Sequence, residues 1–366
     1  MKDFETDVTR PADDGRNIDE RLGILAGEGS HQRVRALAEE GPHPEAVPRA
    51  DSMSDEHTYY GLPVLKETVW EWPIPAYFYI GGVAGASSAL AAASLLRKSE
   101  LGAIVRAGRG IAFAGAGISA VLLIKDLGRP MRFLYMLRVF RPSSPMNVGT
   151  WILSAFGAFS FGAIALPGRL GDASGALAGV FGLPLASYTA VLVANTAVPL
   201  WQQVRNSLPV LFVASAASSA SAVFELLDLS PAEARVVRRF SLAAKCADLA
   251  AGFAVEREAN AIARVGKPLR ESALWTAAKL CTALSLAVTA LPRKPRWLRI
   301  AGGIAGTLGG LATRFGVFQA GRVSARDARA TFEQQRAGMG GAEQLAGASG
   351  PAGVLRREGE AGLAPA

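Results

Sequence analysis

The chain has 366 residues, half of them hydrophobic, with 40 glycines, 19% charged residues and a formal net charge of +8. A soluble chain of average composition carries about 25% charge. Here sixteen of the 31 acids fall in the first 71 residues, so the remainder is strongly basic. Its Lys and Arg flank apolar runs of about 20 residues, which argues against a nucleic-acid surface and for membrane helices with cationic flanks.

Residues 1–57 are polar, rich in acids, Gly and Pro, and cannot bury enough apolar surface to offset their chain entropy. They are expected to form a mostly disordered tail. The spacing of Ile18, Leu22, Leu25, Val34 and Leu37 predicts one short amphipathic helix between about Asp19 and Glu40. His31, His43 and His57 fall in this tail without Cys nearby or regular spacing, so no metal site is read there. The first residues lack the apolar h-region of a secretory signal, so the first hydrophobic helix is expected to drive insertion.

Tyr59, Tyr60, Trp70 and Trp72, with Pro63 and Pro73, mark an interfacial approach to a bilayer. Eight spans follow, each near the ~20 residues that a hydrocarbon core requires: about 72–96, 106–124, 148–167, 178–200, 207–227, 234–255, 274–291 and 298–320. The first two carry small-residue patches, such as Gly81 to Ser88, that let helices approach closely. Ser230-Pro231-Ala232-Glu233 has the form of a helix start, with Pro at the first position and an acid in the first turn. The fold class is therefore all-α, an eight-helix polytopic membrane bundle over 58–329, with a flexible tail over 330–366. Eight crossings put both termini on one side. Ten loop cations on that side against twelve on the other leave the orientation open.

Between the second and third spans runs a basic, proline-punctuated stretch. It holds Lys125, Asp126, Gly128, Arg129, Pro130, Arg132, Arg138, Arg141 and Asn147, and reads as a polar mouth between two helices. Cys246 and Cys281 lie in apolar segments, form no CxxC, and read as small buried hydrophobes. No nucleophile–base set, phosphate loop, dinucleotide fingerprint or HExxH occurs. No histidine lies in the spans, so the chain offers no pair of axial ligands to a haem b.

Polar groups at membrane depth are costly and are candidates for function. Asp126 and Arg129 either close a helix end as a local pair or frame a small-molecule pocket beside Trp72 and Tyr77. Tyr77 and Asn195 are either satisfied interior groups or hydrogen-bond donors to a quinone carbonyl. Glu225, Lys245, Asp248 and Glu256 are either structural pairs within the bundle or members of a proton path.

The run Tyr60-Gly61-Leu62-Pro63, Trp70-Glu71-Trp72-Pro73, Gly81-Gly82, Asp126-Leu127-Gly128-Arg129-Pro130, Ser144-Pro145-Met146 and Gly149-Thr150-Trp151 resembles the NrfD/polysulfide-reductase membrane-subunit family. The resemblance is strong over about 58–155. It continues weakly to about 329 through Ala194-Asn195-Thr196 and Thr313-Arg314-Phe315. It implies a haem-free membrane anchor in the inner (cytoplasmic) membrane. That anchor would bind a quinone, menaquinone or ubiquinone, and exchange electrons with a ferredoxin-like [4Fe–4S] subunit. A molybdopterin catalytic subunit of formate-dehydrogenase type would lie beyond. Trp72, Tyr77, Asp126, Gly128, Arg129 and Asn195 are the residues the resemblance brings to the quinone. Where better-known members offer Asn and His from the first helix, this chain has Ile74 and Tyr77. The alternative is a structural or proton-coupling membrane subunit that binds no quinone.

Overall fold

The computed structural model describes residues 18–19, 24–25, 65–66 and 68–337. The chain divides into a unit over 1–62 and a unit over 63–366. In the first, β1 (Ile18–Asp19) pairs antiparallel with β2 (Ile24–Leu25), Ile18 opposite Leu25. The helix expected to begin at Asp19 is thus replaced, where residues are described, by extended backbone. β-branched Ile18 and Ile24 favour that state.

The second unit is helical: α1 (Pro73–Ser94, continued by a 3-10 turn to Arg97), α2 (Gly102–Leu127), α3 (Pro130–Met136), α4 (Pro145–Ala165), α5 (Gly168–Ala194), α6 (Pro199–Gln203), α7 (Ser207–Glu225), α8 (Pro231–Ala259), α9 (Ala263–Arg270), α10 (Ala273–Ala290), α11 (Arg296–Arg326) and α12 (Ala328–Arg336). It is an all-α, multi-pass membrane protein. Among the described residues, six of the eight long helices are long and apolar enough to cross a membrane, namely α1, α2, α4, α5, α7 and α10. The other two, α8 and α11, are about 43 and 46 Å long at 1.5 Å per residue, enough for a ~30 Å core. Their composition is more polar because charged residues crowd their ends, such as Arg235, Arg239 and Arg257 on α8 and Arg296 and Arg299 on α11, and because they also bury Lys245, Asp248 and Arg314.

Three boundaries differ from the spacing-based reading. The fourth span starts at Gly168 and ends at Ala194 rather than running to Leu200. Pro199 lacks an N–H and holds Val198 extended, so a new short helix, α6, begins there. The loop 256–271 is largely helical, because α8 runs on to Ala259 and α9 follows. The chain also stays helical past 329, where α12 buries Ala330, Thr331 and Gln334.

The long helices form two groups of four. α1 packs on α2 and α5, and α4 on α2 and α5; α7 packs on α8 and α11, and α10 on α8 and α11. The groups meet where α1 and α5 lie against α7, and α1 against α11. Small residues set these approaches. A Cβ on Gly85 would stand 2.3 Å from the Gly182 carbonyl oxygen of α5, so two backbones touch there. Large apolar side chains also face outward, among them Val121 on α2, Phe161 on α4, Val180 on α5 and Leu280 on α10. In a bilayer these meet lipid rather than water.

The expected helix start at Ser230 is a full capping box. Ser230 Oγ accepts from the Glu233 N–H at 3.3 Å, and Glu233 Oε2 accepts from the Ser230 N–H at 3.0 Å. The other carboxylate oxygen of Glu233 accepts from the N–H groups of Ala103 and Ile104, at 2.6 and 3.3 Å. One side chain therefore satisfies the free donors of two helix starts, α8 and α2.

Candidate functional site

Among the described residues, the four short helices, α3, α6, α9 and α12, connect or follow long helices at one end of the unit. This is the end where α1 starts and α2 stops. The stop is built by Gly128, whose φ of 71° is a left-handed cap, its N–H donating to the Lys125 carbonyl at 3.2 Å. Arg129 then runs extended, and Pro130 opens α3 at a position where a missing N–H costs nothing. The side chain of Asn147 holds the following loop. Its Nδ2 donates to the Met136 and Val139 carbonyls at 2.6 and 3.1 Å, and its Oδ1 accepts from the Arg141 N–H at 2.7 Å.

Two contacts tie this turn to the start of α1. Lys125 Nζ stands 4.5 Å from the centroid of the Trp72 ring. The backbone N–H of Glu71 donates to the Asp126 carboxylate. Trp72 and Arg129 are exposed at this mouth. Asn195 ends α5 at the same end, its N–H donating to the Val191 carbonyl at 3.0 Å. Among the described residues no hydrogen bond joins its side chain to the other mouth residues.

Tyr77 lies one turn into α1 and is only 1% exposed. Its ring sits against Phe78, centroids 5.8 Å apart. Its hydroxyl has no hydrogen-bond partner among the described residues. A Cβ on Gly81 would be 3.7 Å from the Tyr77 ring and 3.5 Å from Ser119 Oγ of α2, so these groups are neighbours. Ser119 Oγ is likewise buried without a partner, as is Thr189 Oγ1 on α5. A buried hydroxyl without a partner loses about 1–3 kcal/mol of solvation. Tyr77 is the largest such group and stands directly behind the mouth. Ile74, one turn nearer the entrance, is buried and apolar.

The second group of helices carries three polar stations. Farthest from the mouth, Lys245 (0% exposed) donates to Glu225 Oε2 at 2.8 Å and to Thr289 Oγ1 at 2.7 Å. Ser241 Oγ and Thr289 Oγ1 donate to Glu225 Oε1, both at 2.8 Å. Deeper lie Asp248 and Arg314. Arg314 Nη2 donates to the Phe212 carbonyl at 2.7 Å, and its guanidinium covers the Phe212 ring at 3.8 Å. Its Nε and Nη1, and Asp248 Oδ2, have no hydrogen-bond partner among the described residues. Asp248 also lines a cavity of about 10 Å³ with Thr282, Thr313 and Lys279, room for about one water. Nearest the mouth, Glu256 accepts from Trp275 Nε1 at 2.6 Å and from Lys279 Nζ.

Residues 63–239 match the family model described as "Polysulphide reductase, NrfD". Over that stretch the chain is similar to the NrfD family. The C subunit of polysulfide reductase from Wolinella succinogenes is 33% identical over 94 residues, which are 24% of the present sequence and 29% of the relative. The match thus spans less than a third of that curated relative.

The matched stretch contains the whole mouth, Tyr77, Asn195 and Glu225; Lys245, Asp248, Glu256 and Arg314 lie beyond it. The structure brings Trp72, Asp126 and Gly128 to one turn, with Tyr77 behind them. It pairs Glu225 with Lys245, but sets Asp248 and Glu256 at separate stations. Sequence alone does not place Arg314, Ser119 or Thr289 among the candidates. Arg314 carries the signal that singles out Lys245, a lone charge inside an apolar span. Single hydroxyls carry no such signal, because Ser and Thr are common in membrane helices.

Proposed function

We propose that this chain is the haem-free anchor and quinone-reactive subunit of an oxidoreductase in the cytoplasmic membrane. Its site exchanges electrons between quinol and a [4Fe–4S] partner, which in turn serves a molybdopterin subunit of formate-dehydrogenase type. The observation that carries the reading is the buried, unpartnered Tyr77 hydroxyl behind a mouth built by the start of α1 and the end of α2.

On this reading Tyr77 Oη donates to a carbonyl of the headgroup, and the Trp72 ring flanks its entry. Tyr77 is enclosed, so the carrier reaches it when the first turn of α1 parts from the Asp126–Gly128 turn. The Asp126–Glu71 and Lys125–Trp72 contacts then act as the clasp. Quinol oxidation yields quinone, two electrons and two protons. The electrons leave through the partner, and the two protons pass one after the other by way of the Asp126 carboxylate, beside Glu71, to water at the mouth.

Tyr77→Phe keeps the ring and removes one hydrogen bond worth about 1–1.5 kcal/mol, so quinol-dependent reduction of the complex should slow roughly tenfold. The mouth is wrongly assigned if Tyr77→Phe and Asp126→Asn both leave that rate unchanged.

A second reading, proton coupling through α7, α8, α10 and α11, is supported by the three polar stations and by the cavity beside Asp248. It predicts that Asp248→Asn abolishes pH changes coupled to turnover in proteoliposomes while quinol oxidation continues. Unchanged coupling in that variant removes this reading.

A further inference from the structure

The end of the bundle opposite the mouth carries its own concentration of charge. Residues 228–239 and 291–299 hold seven cations against two acids. Both acids are engaged. Glu233 caps α8 and α2, and Asp228 bridges Arg296 and Arg299 at 2.7 and 2.8 Å. The two stretches meet in space. Arg238 of α8 donates to the Thr289 and Ala290 carbonyls at the end of α10, at 3.1 and 2.7 Å. Lys294 donates to the neighbouring Val288 carbonyl at 3.1 Å. Cations thus stand side by side around one helix end. Burial, with the crowding by Arg238 and Arg299, holds the Lys294 ammonium below its usual range against the opposing pull of Glu225. Arg239 and Arg293 are exposed and meet no carboxylate among the described residues.

The patch sits on an apolar ledge. Trp297 is 68% exposed and Leu291 is exposed beside it. Below them, Leu284 and Leu280 on α10 and Ile304 and Leu308 on α11 also face outward. The two helices are drawn together between these rims. A Cβ on Gly302 would stand 2.6 Å from Val288 Cγ1, and one on Gly309 would stand 2.7 Å from Thr282 Oγ1. The outward faces of α10 and α11 are thus apolar below a cluster of positive charge, with the exposed Trp297 in the first turn of α11.

We propose that this face binds an anionic phospholipid, its phosphate drawn to the cation cluster around Lys294 by the exposed Arg239 and Arg293, and its acyl chains laid along α10 and α11. Charge complementarity selects the headgroup, and the continuous apolar strip selects a lipid over a free anion. The site is independent of the quinone reading, since it lies at the other end of the bundle.

The test uses the full-length protein in its purified complex, exchanged into nanodiscs of phosphatidylcholine with or without phosphatidylglycerol. Native mass spectrometry counts the lipids retained. Preferential retention of phosphatidylglycerol is expected, falling roughly fivefold for each cation removed in Arg239→Gln plus Arg293→Gln. Arg138→Gln plus Arg141→Gln, at the mouth end, should leave it unchanged. Arg293→Gln alone serves if the double variant does not fold. Equal retention of the two lipids overturns the proposal, as does a preference untouched by the Arg239 and Arg293 variants. Protection from thermal unfolding by inorganic phosphate equal to that by phosphatidylglycerol makes it a free-anion site and also overturns it. So does a photo-crosslinker at position 293 that captures a polypeptide instead of lipid.

Discussion

Lys245→Met separates two accounts of the buried Glu225–Lys245 pair. In the folded protein Glu225 is 6% exposed and accepts from Lys245, Ser241 and Thr289. Removing the ammonium leaves a buried carboxylate whose direct partners are two hydroxyls, with the Lys294 ammonium acting on it only from a distance. Breaking such a pair from one side costs about 3–5 kcal/mol, on the order of a hundredfold or more in the folded fraction. Replacing both members, Lys245→Met with Glu225→Leu, removes the two desolvated charges together. Ser241 then returns its hydroxyl to its own helix carbonyls, and the double variant should lie within about 1 kcal/mol of the parent. Thermal unfolding in detergent, followed by tryptophan fluorescence, reads both variants. A single substitution that costs under about 0.5 kcal/mol, or a double as costly as the single, refutes the view that the pair is a closed electrostatic unit.

Gly128→Ala forces a side chain into a left-handed conformation at φ 71° and should destabilise by about 1 kcal/mol or more, with quinol turnover falling because α1 and α2 lose their register at the mouth. Gly182→Leu drives a side chain into Ser88 Oγ and the Gly85 carbonyl, 2.2 and 2.5 Å from its first carbon; extraction should yield little folded protein, whereas Gly117→Leu, which faces open space, should be tolerated. Lys294 has a folded-state pKa lowered from 10.5, so its charge penalises the folded state at neutral pH and the penalty is relieved as pH rises through the lowered value toward 10.5. The melting temperature of the parent should therefore gain on alkaline titration relative to Lys294→Gln, and equal slopes would contradict that sign.

The helices are legible in the sequence because each span repeats one simple signal, an apolar run of membrane length with cations at its ends. Boundaries are less so. Hydropathy alone carries the fourth span to Leu200, but Pro199 and the extended Val198 end it near Ala194. The stretch 256–271 reads as a loop because its apolar face is a single short stripe, Val265 and Leu269, visible only once it packs on the bundle. The mouth is legible from Asp126 to Pro130, where an unusual order of residues carries a left-handed cap and a proline start. The role of Asp126 is not: its carboxylate takes the N–H of Glu71, a residue far back in the chain, and nothing local announces such a contact. Arg314 meets Phe212 and faces Asp248 across three helices, a convergence that only packing creates.

The most direct measurement is photolabelling of the intact complex with an azido-quinone, followed by mapping of the modified peptides. The account predicts label on the first turns of α1 and the end of α2, around Trp72, Tyr77 and Asp126, and loss of that label when excess quinone competes. Label confined to partner subunits, or spread over the outer faces of the helices without competition, would contradict a quinone site in this protein.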